Sequence, residues 1–335
     1  MAVTPQTNTT LEEIAQQLLT HDNYVICGHV SPDGDCLGSQ LALAWALRQC
    51  GKQVSVVLAR NEPIDGTLAF LPGSQELVPA VSFDGPCDSF IAVDVPTPER
   101  LGDGARLQER AAFTVTIDHH AVPHAMSQLS YTDPDVASTT MLIWQLAALL
   151  GCDRAQLIAT CAYTGLMTDT GRFQYQNADN AAFAAAAEMV AAGAEPSVIS
   201  RNFYQNRSRA SVALEAVAID HMAFSSDGRA VMSWLSLEDF ARCGAVKSDA
   251  EPLIDVLRSV AGVSVACMLR EQATEVRGSF RAKDDTDVAA LAAQFGGGGH
   301  RAAAGFTIHE LLPQAVAAVA QLLGIPCPVV AEECL

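Results

Sequence analysis

The sequence predicts an α/β fold made of a parallel-sheet N-terminal domain, a helical linker and a smaller α/β C-terminal domain. In the first half, short apolar runs alternate with helical patterns, which is typical of a parallel sheet covered by helices. A length of 335 residues fits two cores better than one. An alanine-rich helical stretch, broken at Gly193 and Pro196, separates the halves. We therefore predict domains at residues 1–195 and 219–335, joined by a linker at 196–218.

The N-terminal elements follow from local signals. Thr10-Leu-Glu-Glu13 predicts a capping box at the start of the first helix. The apolar stripe of that helix is predicted to be Leu11, Ile14, Leu18 and Leu19. A strand at Tyr24–Cys27 and a polar loop precede a second helix, predicted from about Leu37 to Cys50 and stopped by Gly51. Further strands are predicted at residues 53–58, 90–93 and 114–117, and a helix at 157–167.

The C-terminal half shows strand patterns interleaved with two helices. Strands are predicted at residues 230–235, 263–269 and 276–281, and helices near 251–260 and 311–323. Phe295-Gly-Gly-Gly-Gly-His300-Arg lies between the last strand and the last helix and predicts a glycine loop.

Composition and charge narrow the class of protein. With 38 acidic and 20 basic residues the chain carries a net charge of −18, which argues against binding long nucleic acid by phosphate neutralisation. Ten cysteines without a Cys-x-x-Cys pair indicate reduced thiols rather than disulfides or structural zinc. We see no signal peptide and no apolar run long enough to cross a membrane, so we expect a cytoplasmic protein.

Polar motifs follow the predicted strands, at the edge of a parallel sheet where ligands bind. The first is His29-Val-Ser-Pro-Asp33-Gly-Asp35, the second is Asp94, and the third is Asp118-His119-His120. Asp169 ends a helical run in the same domain. Each motif alone has an ordinary explanation, because Pro-Asp-Gly is a common turn, a lone acid often caps a helix and adjacent histidines are often structural. We assign Ser39 to helix capping, since no base is placed to activate it.

The combination of these motifs predicts a metal site. Five acids and three histidines would gather at one edge of one domain, where the carboxylates would repel each other without cations. There are more ligands than one ion uses, so two ions are the more natural prediction. Mixed nitrogen and oxygen ligands suit Mn²⁺, Fe or Zn²⁺ better than Ca²⁺.

This set of motifs resembles the DHH phosphoesterase superfamily, in its bacterial nanoRNase/pAp phosphatase branch. Residues 296–305 resemble the glycine-rich signature of the associated C-terminal domain. The resemblance implies a catalytic DHH domain and a substrate-binding domain. It also implies two divalent ions, usually Mn²⁺, with the following ligands: His29, Asp33, Asp94 and Asp169 for one, and Asp35, Asp94, His119 and Asp169 for the other.

The resemblance also implies roles around those ions. Asp94 and Asp169 would be available to both ions, His120 would contact the scissile phosphate, and Asp118 would orient a histidine. A water bridging two ions about 3.5–4 Å apart would be the nucleophile. Expected substrates are RNA fragments of a few nucleotides, cut to 5′-mononucleotides, and 3′-phosphoadenosine 5′-phosphate, cut to AMP. Long duplexes and membranes are not expected partners, and a homodimer is common among members.

The C-terminal glycine segment predicts a second contact with substrate. The backbone N–H groups of Gly297, Gly298 and Gly299 would approach an anion closely, and His300 and Arg301 would add donors. A flexible linker is the alternative, against which His-Arg and resumed apolar sequence argue. Arg281 is a further candidate for a terminal phosphate, with an ordinary surface arginine as its alternative.

Three other functions remain open from the sequence. A cyclic or linear dinucleotide phosphodiesterase would share the same metal ligands. A manganese pyrophosphatase has a similar first domain, but residues 220–335 hold only two lysines for a pyrophosphate. A non-catalytic nucleotide-binding module would be expected to have lost ligands, and none is missing here.

Overall fold

The chain separates into two units between Asn206 and Arg207. The computed structural model describes residues 6–122, 124–326 and 328, with the side chain of His300 outside the described part. The boundary falls inside the segment 196–218, to which the sequence assigns a linker. Helix Pro196–Tyr204 therefore belongs to the first unit and helix Arg209–Asp220 to the second.

The first unit is built on a six-stranded sheet in which every strand pair is parallel. In chain order its strands are β1 (Tyr24–Cys27), β2 (Val54–Leu58), β3 (Val78–Pro79), β4 (Ser89–Val93), β5 (Phe113–Asp118) and β6 (Leu129–Thr132). Their order across the sheet is β3-β2-β1-β4-β5-β6. The predicted α/β class is therefore confirmed.

Helices cover both faces of this sheet. They are α1 (Leu11–Thr20), α2 (Gly34–Gln49), α3 (Ala105–Arg110), α4 (Thr139–Leu149), α5 (Gln156–Asp169), α6 (Asn180–Ala191) and α7 (Pro196–Tyr204). Side chains of β1 alternate between two apolar cores, with Tyr24 and Ile26 in one and Val25 and Cys27 in the other. A strand buried on both faces reads as a continuous apolar run, which is how the sequence revealed it.

Two predictions about the first helices need correction. Leu19 is 46% exposed and lies outside the apolar stripe, where the buried residue is Ala15. α2 begins at Gly34, three residues before the predicted start, because Asp33 caps it by accepting hydrogen bonds from the backbone N–H groups of Asp35 and Cys36. Ser39 lies inside α2, fully buried, and caps nothing.

The capping box of α1 is half formed. The Thr10 hydroxyl oxygen accepts from the Glu13 N–H at 3.1 Å. The Glu13 carboxylate, however, accepts from the Thr9 hydroxyl at 2.7 Å, so the return bond of the box goes to a neighbouring side chain.

The second unit is a six-stranded mixed sheet with helices on both faces. Its strands are β7 (Ala223–Phe224), β8 (Ala230–Leu235), β9 (Val265–Glu271), β10 (Val276–Ala282), β11 (Gly298–His300) and β12 (Ala303–Ile308). Its helices are α8 (Arg209–Asp220), α9 (Leu237–Cys243), α10 (Leu253–Arg258), α11 (Val288–Ala293) and α12 (Leu312–Leu323). Among the described strands of this unit, β8 and β9 pair in parallel and the other pairs are antiparallel. The glycine segment predicted as a loop is partly strand, since β11 pairs with β12.

Within the described residues, no single helix is long and apolar enough to span a membrane. One bent pair, α6 with α7 at 108°, passes the same length and composition test when the two helices are taken together.

Candidate metal centre

The predicted site residues of the first unit gather at the carboxyl ends of β1, β4 and β5, which are neighbours in the sheet. His29 follows β1, Asp94 follows β4, and Asp118 ends β5. Asp94 has a φ of +59°, in the left-handed region that non-glycine residues seldom adopt. Such strain persists where the surrounding structure enforces it, and here it accompanies a carboxylate surrounded by three imidazoles.

His29 is buried with one ring nitrogen aimed at carboxylates. Its Nε2 lies 3.4 Å from Asp94 Oδ2 and 3.8 Å from Asp33 Oδ2. Its Nδ1 lies 2.8 Å from the Val30 carbonyl oxygen, which can accept the Nδ1 proton. A neutral ring with its proton on Nδ1 would present the Nε2 lone pair to the acids, which is the arrangement of a metal-ligating histidine.

Asp35 is fully buried and held by the start of a helix. Its Oδ2 accepts from the Thr139 N–H at 2.6 Å, and its Oδ1 accepts from the Thr140 N–H at 2.9 Å. These are first-turn amides of α4, where the unpaired N–H groups and the helix dipole favour an anion. The Thr139 hydroxyl also donates to Asp94 Oδ1 at 2.9 Å, so one residue orients two of the acids.

His119 lies between three of the acids. Its Nε2 is 3.3 Å from Asp169 Oδ2, 3.6 Å from Asp94 Oδ1 and 3.8 Å from Asp35 Oδ2. Asp169 stands at the last position of α5, so β1, β4, β5, α2 and α5 each contribute to one cluster.

His120 points differently from His119, as expected for neighbours at a strand end. Its Nδ1 lies 2.8 Å from Asp118 Oδ1, which also accepts from the His119 N–H at 2.8 Å. The two histidine rings meet edge to face. Asp118 is fully buried, and its Oδ2 has no hydrogen-bond partner among the described residues.

The close approach of several carboxylates shifts the pKa values of the acids in the cluster. Burial and the neighbouring Asp94 raise the pKa of Asp35 to about 7. Burial and the charges of Asp35, Asp33 and Asp94 raise the pKa of Asp169 well above its usual value. Burial would also raise the pKa of Asp94, but the three histidines around it hold that pKa below its usual range. Not every carboxylate can ionise here without added positive charge.

The donor atoms fit divalent cations. Three groups have ligand atoms within 4.8 Å of one another: His29 with Cys36 and Asp94, Asp94 with His119 and His120, and Asp35 with His119 and Asp169. Two ligands bound to one ion at about 2.1 Å lie roughly 3.0–3.4 Å apart. The nitrogen–oxygen separations of 3.3–3.8 Å are closer to that spacing than to a hydrogen bond of about 2.9 Å.

The second-unit candidates lie around β10, β11 and β12. Arg301 donates to the Asp285 carbonyl oxygen through Nε and Nη2, and Arg281 donates to the Phe280 carbonyl oxygen. A Cβ at Gly297 would stand 2.2 Å from the Gly305 carbonyl oxygen. At Gly299 it would stand 2.6 Å from that of Ala303. Close packing of the backbone therefore explains why Gly297 and Gly299 are glycines. A Cβ at Gly298, by contrast, would meet no atom within 4 Å. The His300 side chain lies outside the described residues.

Sequence reasoning missed three residues of the site. The sequence does contain a signal for Thr139 and Thr140, since Ser138-Thr-Thr before an apolar run is typical of a helix start. Arg100, whose Nη2 lies 3.1 Å from His29 Nδ1, gives no signal in the sequence.

The chain matches two family models and several known proteins. Residues 23–166 match the model of the DHH family N-terminal domain, and residues 240–324 match that of the DHHA1 domain. The chain is 31% identical over 286 residues to the bifunctional oligoribonuclease and PAP phosphatase NrnA of Thermus thermophilus, covering 85% of this chain and 84% of that protein. The Bacillus subtilis protein of the same name is 26% identical, covering 89% and 93%.

A solved structure extends the similarity to three dimensions. The crystal structure of an exopolyphosphatase-related protein from Bacteroides fragilis superposes with a TM-score of 0.87 and 25% identity, covering 96% of this chain and 97% of that one. The chain therefore matches both family models, and the similarity to the solved structure extends over 96% of its length. The chain belongs to the DHH family, with a DHH N-terminal domain followed by a DHHA1 domain.

Proposed function

We propose that the protein is a divalent-metal phosphoesterase acting on very short substrates. It hydrolyses oligoribonucleotides of a few residues to 5′-mononucleotides, and 3′-phosphoadenosine 5′-phosphate to AMP. The observation that carries the proposal is the convergence of buried acids and imidazoles at one sheet edge, with Asp94 within 3.6 Å of three histidines. The two named relatives, which are bifunctional oligoribonucleases and PAP phosphatases, support the choice of substrates.

In this proposal two Mn²⁺ ions share the cluster. The ligands of one are His29, Asp33, Asp94 and Asp169, and those of the other are Asp35, Asp94, His119 and Asp169. The central position of Asp94, between the Nε2 atoms of His29 and His119, supports its role as a shared ligand. When bound, the ions supply an ionised water as nucleophile and positive charge for the phosphate oxygens.

Two side chains of the protein, His120 and Asp118, are proposed to act on the scissile phosphate. His120 contacts the scissile phosphate, and the carboxylate of Asp118, 2.8 Å from Nδ1, holds the Nδ1 proton so that Nε2 faces the substrate. Burial would lower the pKa of His120, but Asp118 raises it above its usual value. The raised pKa favours the protonated imidazole, which suits contact with a phosphate oxygen.

The second unit is also proposed to contact the substrate, through its glycine segment. Gly298, which faces open space, and the exposed Arg301 are the members of the glycine segment best placed to accept an anion. Gly297, Gly299, His300 and Arg281 complete this proposed set. The net charge of −18 supports short substrates, because long phosphate tracks require a basic surface.

The test is hydrolysis by the purified protein with Mn²⁺ and an EDTA control. A diribonucleotide, a 24-mer RNA, 3′-phosphoadenosine 5′-phosphate, cyclic di-AMP and pyrophosphate are offered in parallel. We expect metal-dependent turnover of the diribonucleotide and the bisphosphate, with little on the 24-mer. Turnover of cyclic di-AMP or pyrophosphate alone would contradict the substrate choice.

Matched variants separate the site from the rest of the unit. Asp94→Asn should lower turnover by at least about 100-fold, since loss of a shared ligand exceeds the 10–100-fold effect of supporting residues. Asp84→Asn, at an exposed acid of the same unit, should keep wild-type turnover. Wild-type turnover in Asp94→Asn would refute the metal model.

A further inference from the structure

Two cysteines of the first unit lie in direct contact far apart in sequence. Cys50 is the C-cap that follows α2, and Cys152 follows the turn after α4. Their Sγ atoms are 3.6 Å apart across 102 positions of chain. Both are free thiols and both are partly exposed, whereas Cys27, Cys36, Cys87, Cys161 and Cys267 are buried. Contact and access to solvent are the two requirements of a thiol pair that reacts with an external oxidant.

Bond formation requires the two sulfurs to move closer together. A disulfide needs an S–S distance of about 2.05 Å, so the sulfurs must approach by about 1.5 Å. Cys50 is a helix C-cap, and Cys152 follows Gly151, whose φ is +73°. Both residues thus stand at the ends of elements rather than inside a helix or strand. Small backbone shifts meet less resistance at such ends.

We propose that Cys50 and Cys152 are a thiol–disulfide modification site, which closes to an intramolecular disulfide on reaction with a low-molecular-weight disulfide such as oxidised glutathione. No other role is assigned to either residue. The proposal is independent of the phosphoesterase function.

The chemistry has two exchange steps. The Cys50 thiolate attacks the small disulfide, breaking its S–S bond, releasing one small thiol and forming a mixed disulfide. Cys152, after losing its proton, attacks the Cys50 sulfur and releases the second small thiol. The two protein thiols are oxidised by two electrons, the small disulfide is reduced to two thiols, and the two protons leave on those thiols.

The order of the steps follows from the environment of Cys152. Burial and the neighbouring Cys50 raise the pKa of the Cys152 thiol to about 12, so it is a poor first nucleophile. The part of that rise due to Cys50 disappears once the Cys50 sulfur is in the mixed disulfide. Cys152 is then the resolving thiol, already in contact with its target.

The disulfide would join helices that also meet at the acidic cluster. α2 is capped by Asp33, carries Asp35 in its first turn and is followed by its C-cap Cys50. α4 starts with the amides that hold Asp35 and ends at Leu149, three residues before Cys152. Linking the far ends of these helices closes a loop of about 100 residues in the unfolded chain. We expect the melting temperature to rise by at least about 5 °C.

The experiment treats the reduced full-length protein with oxidised glutathione and analyses it without reductant. We expect an intact mass lower by about 2 Da, a cross-linked peptide pair containing Cys50 and Cys152, and the rise in melting temperature. Dithiothreitol should reverse all three changes. These readouts need neither metal nor substrate, so they are unaffected if the proposed activity is wrong.

Three variants make the result specific. Cys152→Ser should accumulate the glutathione adduct on Cys50 without an internal cross-link, and Cys50→Ser should form neither product. Cys243→Ser, at a partly exposed cysteine of the second unit, should behave as the wild type. Absence of the Cys50–Cys152 peptide pair, or an equal stabilisation of Cys152→Ser, would overturn the proposal.

Discussion

The charge of single residues decides how the metal-free cluster responds to pH. Burial would lower the pKa of His29, but Asp33 and Asp94 raise it to about 10. The positive charge of His29 therefore stabilises the folded protein. This contribution is fully present below about pH 6.5 and is lost as the pH rises through about 10. The raised pKa of Asp35, about 7, acts in the same direction, because the folded protein holds a proton that the unfolded chain releases near pH 4.

We therefore predict that the EDTA-treated protein loses stability between pH 6 and pH 9. The measurement is thermal unfolding at both pH values. His29→Gln should show a smaller loss than the wild type, since its amide does not titrate. Added Mn²⁺ should reduce the loss in the wild type, because the cation replaces the proton as the source of positive charge. An identical loss in His29→Gln would contradict this account.

Thr139 orients acids without being a ligand itself. Thr139→Val keeps the backbone N–H to Asp35 but removes the hydroxyl that donates to Asp94. We expect the Kd for Mn²⁺, measured by calorimetry, to rise about 10–100-fold, the usual effect of losing a supporting hydrogen bond at a metal site. Thr139→Ser should restore the affinity, and equal affinities in Val and Ser variants would show that the hydroxyl has no such role.

Most of the acidic cluster could be predicted from the types of residue that follow the strands. Acids and histidines after short apolar runs are visible in sequence, and all eight stand together in the structure. Ser138-Thr-Thr signals the helix start, but the contact of the Thr139 N–H with Asp35 is not visible, because the two residues are more than 100 positions apart. Ser39 was assigned wrongly since the first turn of α2 is polar and resembles a loop.

At the scale of elements, α2 and α5 approach closely through glycines. A Cβ on Gly165 would stand 2.4 Å from Thr140 Cγ2 and 2.7 Å from Asp35 Oδ1. A Cβ on Gly38 would stand 2.6 Å from the Cys161 carbonyl oxygen. Small residues here set the distance between the helix that carries Asp35 and the helix that carries Asp169.

Gly165→Ala should therefore push these helices apart. We expect a loss of about 1–3 kcal/mol in the free energy of unfolding, the usual cost of overpacking a core. Urea denaturation measures it. Gly66→Ala is the matched control, because a Cβ at Gly66 meets no atom within 4 Å. A similar stability change in both variants would mean that the close approach is not limiting.

Element boundaries were less predictable than element types. The parallel strands β1, β2, β4 and β5 were identified from their short apolar runs, whereas β6, in which only alternate residues are buried, was missed. β3 and β7 were missed, since each has only two residues and gives no periodic signal. β11 was taken for a loop, because glycine disfavours strands, and its place depends on contact with β12 rather than on propensity.

At the scale of the whole molecule, each unit has its own apolar cores. The two cores of the first unit end with Ile199, and those of the second begin at Leu214. We propose that the units are independent folding domains, with a boundary inside the linker 196–218 that the sequence predicts.

This predicts that fragment 1–206 folds alone. All proposed metal ligands lie within it, so its Kd for Mn²⁺ should stay within about tenfold of the full-length value. Circular dichroism melting and calorimetry check both points. A fragment that melts without cooperativity, or binds no Mn²⁺, would show that the second unit is needed to complete the first.

The spread of the ligands along the chain has a consequence for biosynthesis. His29 and Asp169 flank about 140 residues of sequence, and the intervening strands add on both sides of β1. At translation rates of about 5–20 residues per second, roughly 7–28 s pass between their synthesis. During that interval the growing polypeptide displays incomplete sets of ligands, and the full complement is reached only after α5 has left the ribosome. The proposed set of metal ligands is therefore complete only late in the synthesis of the first unit.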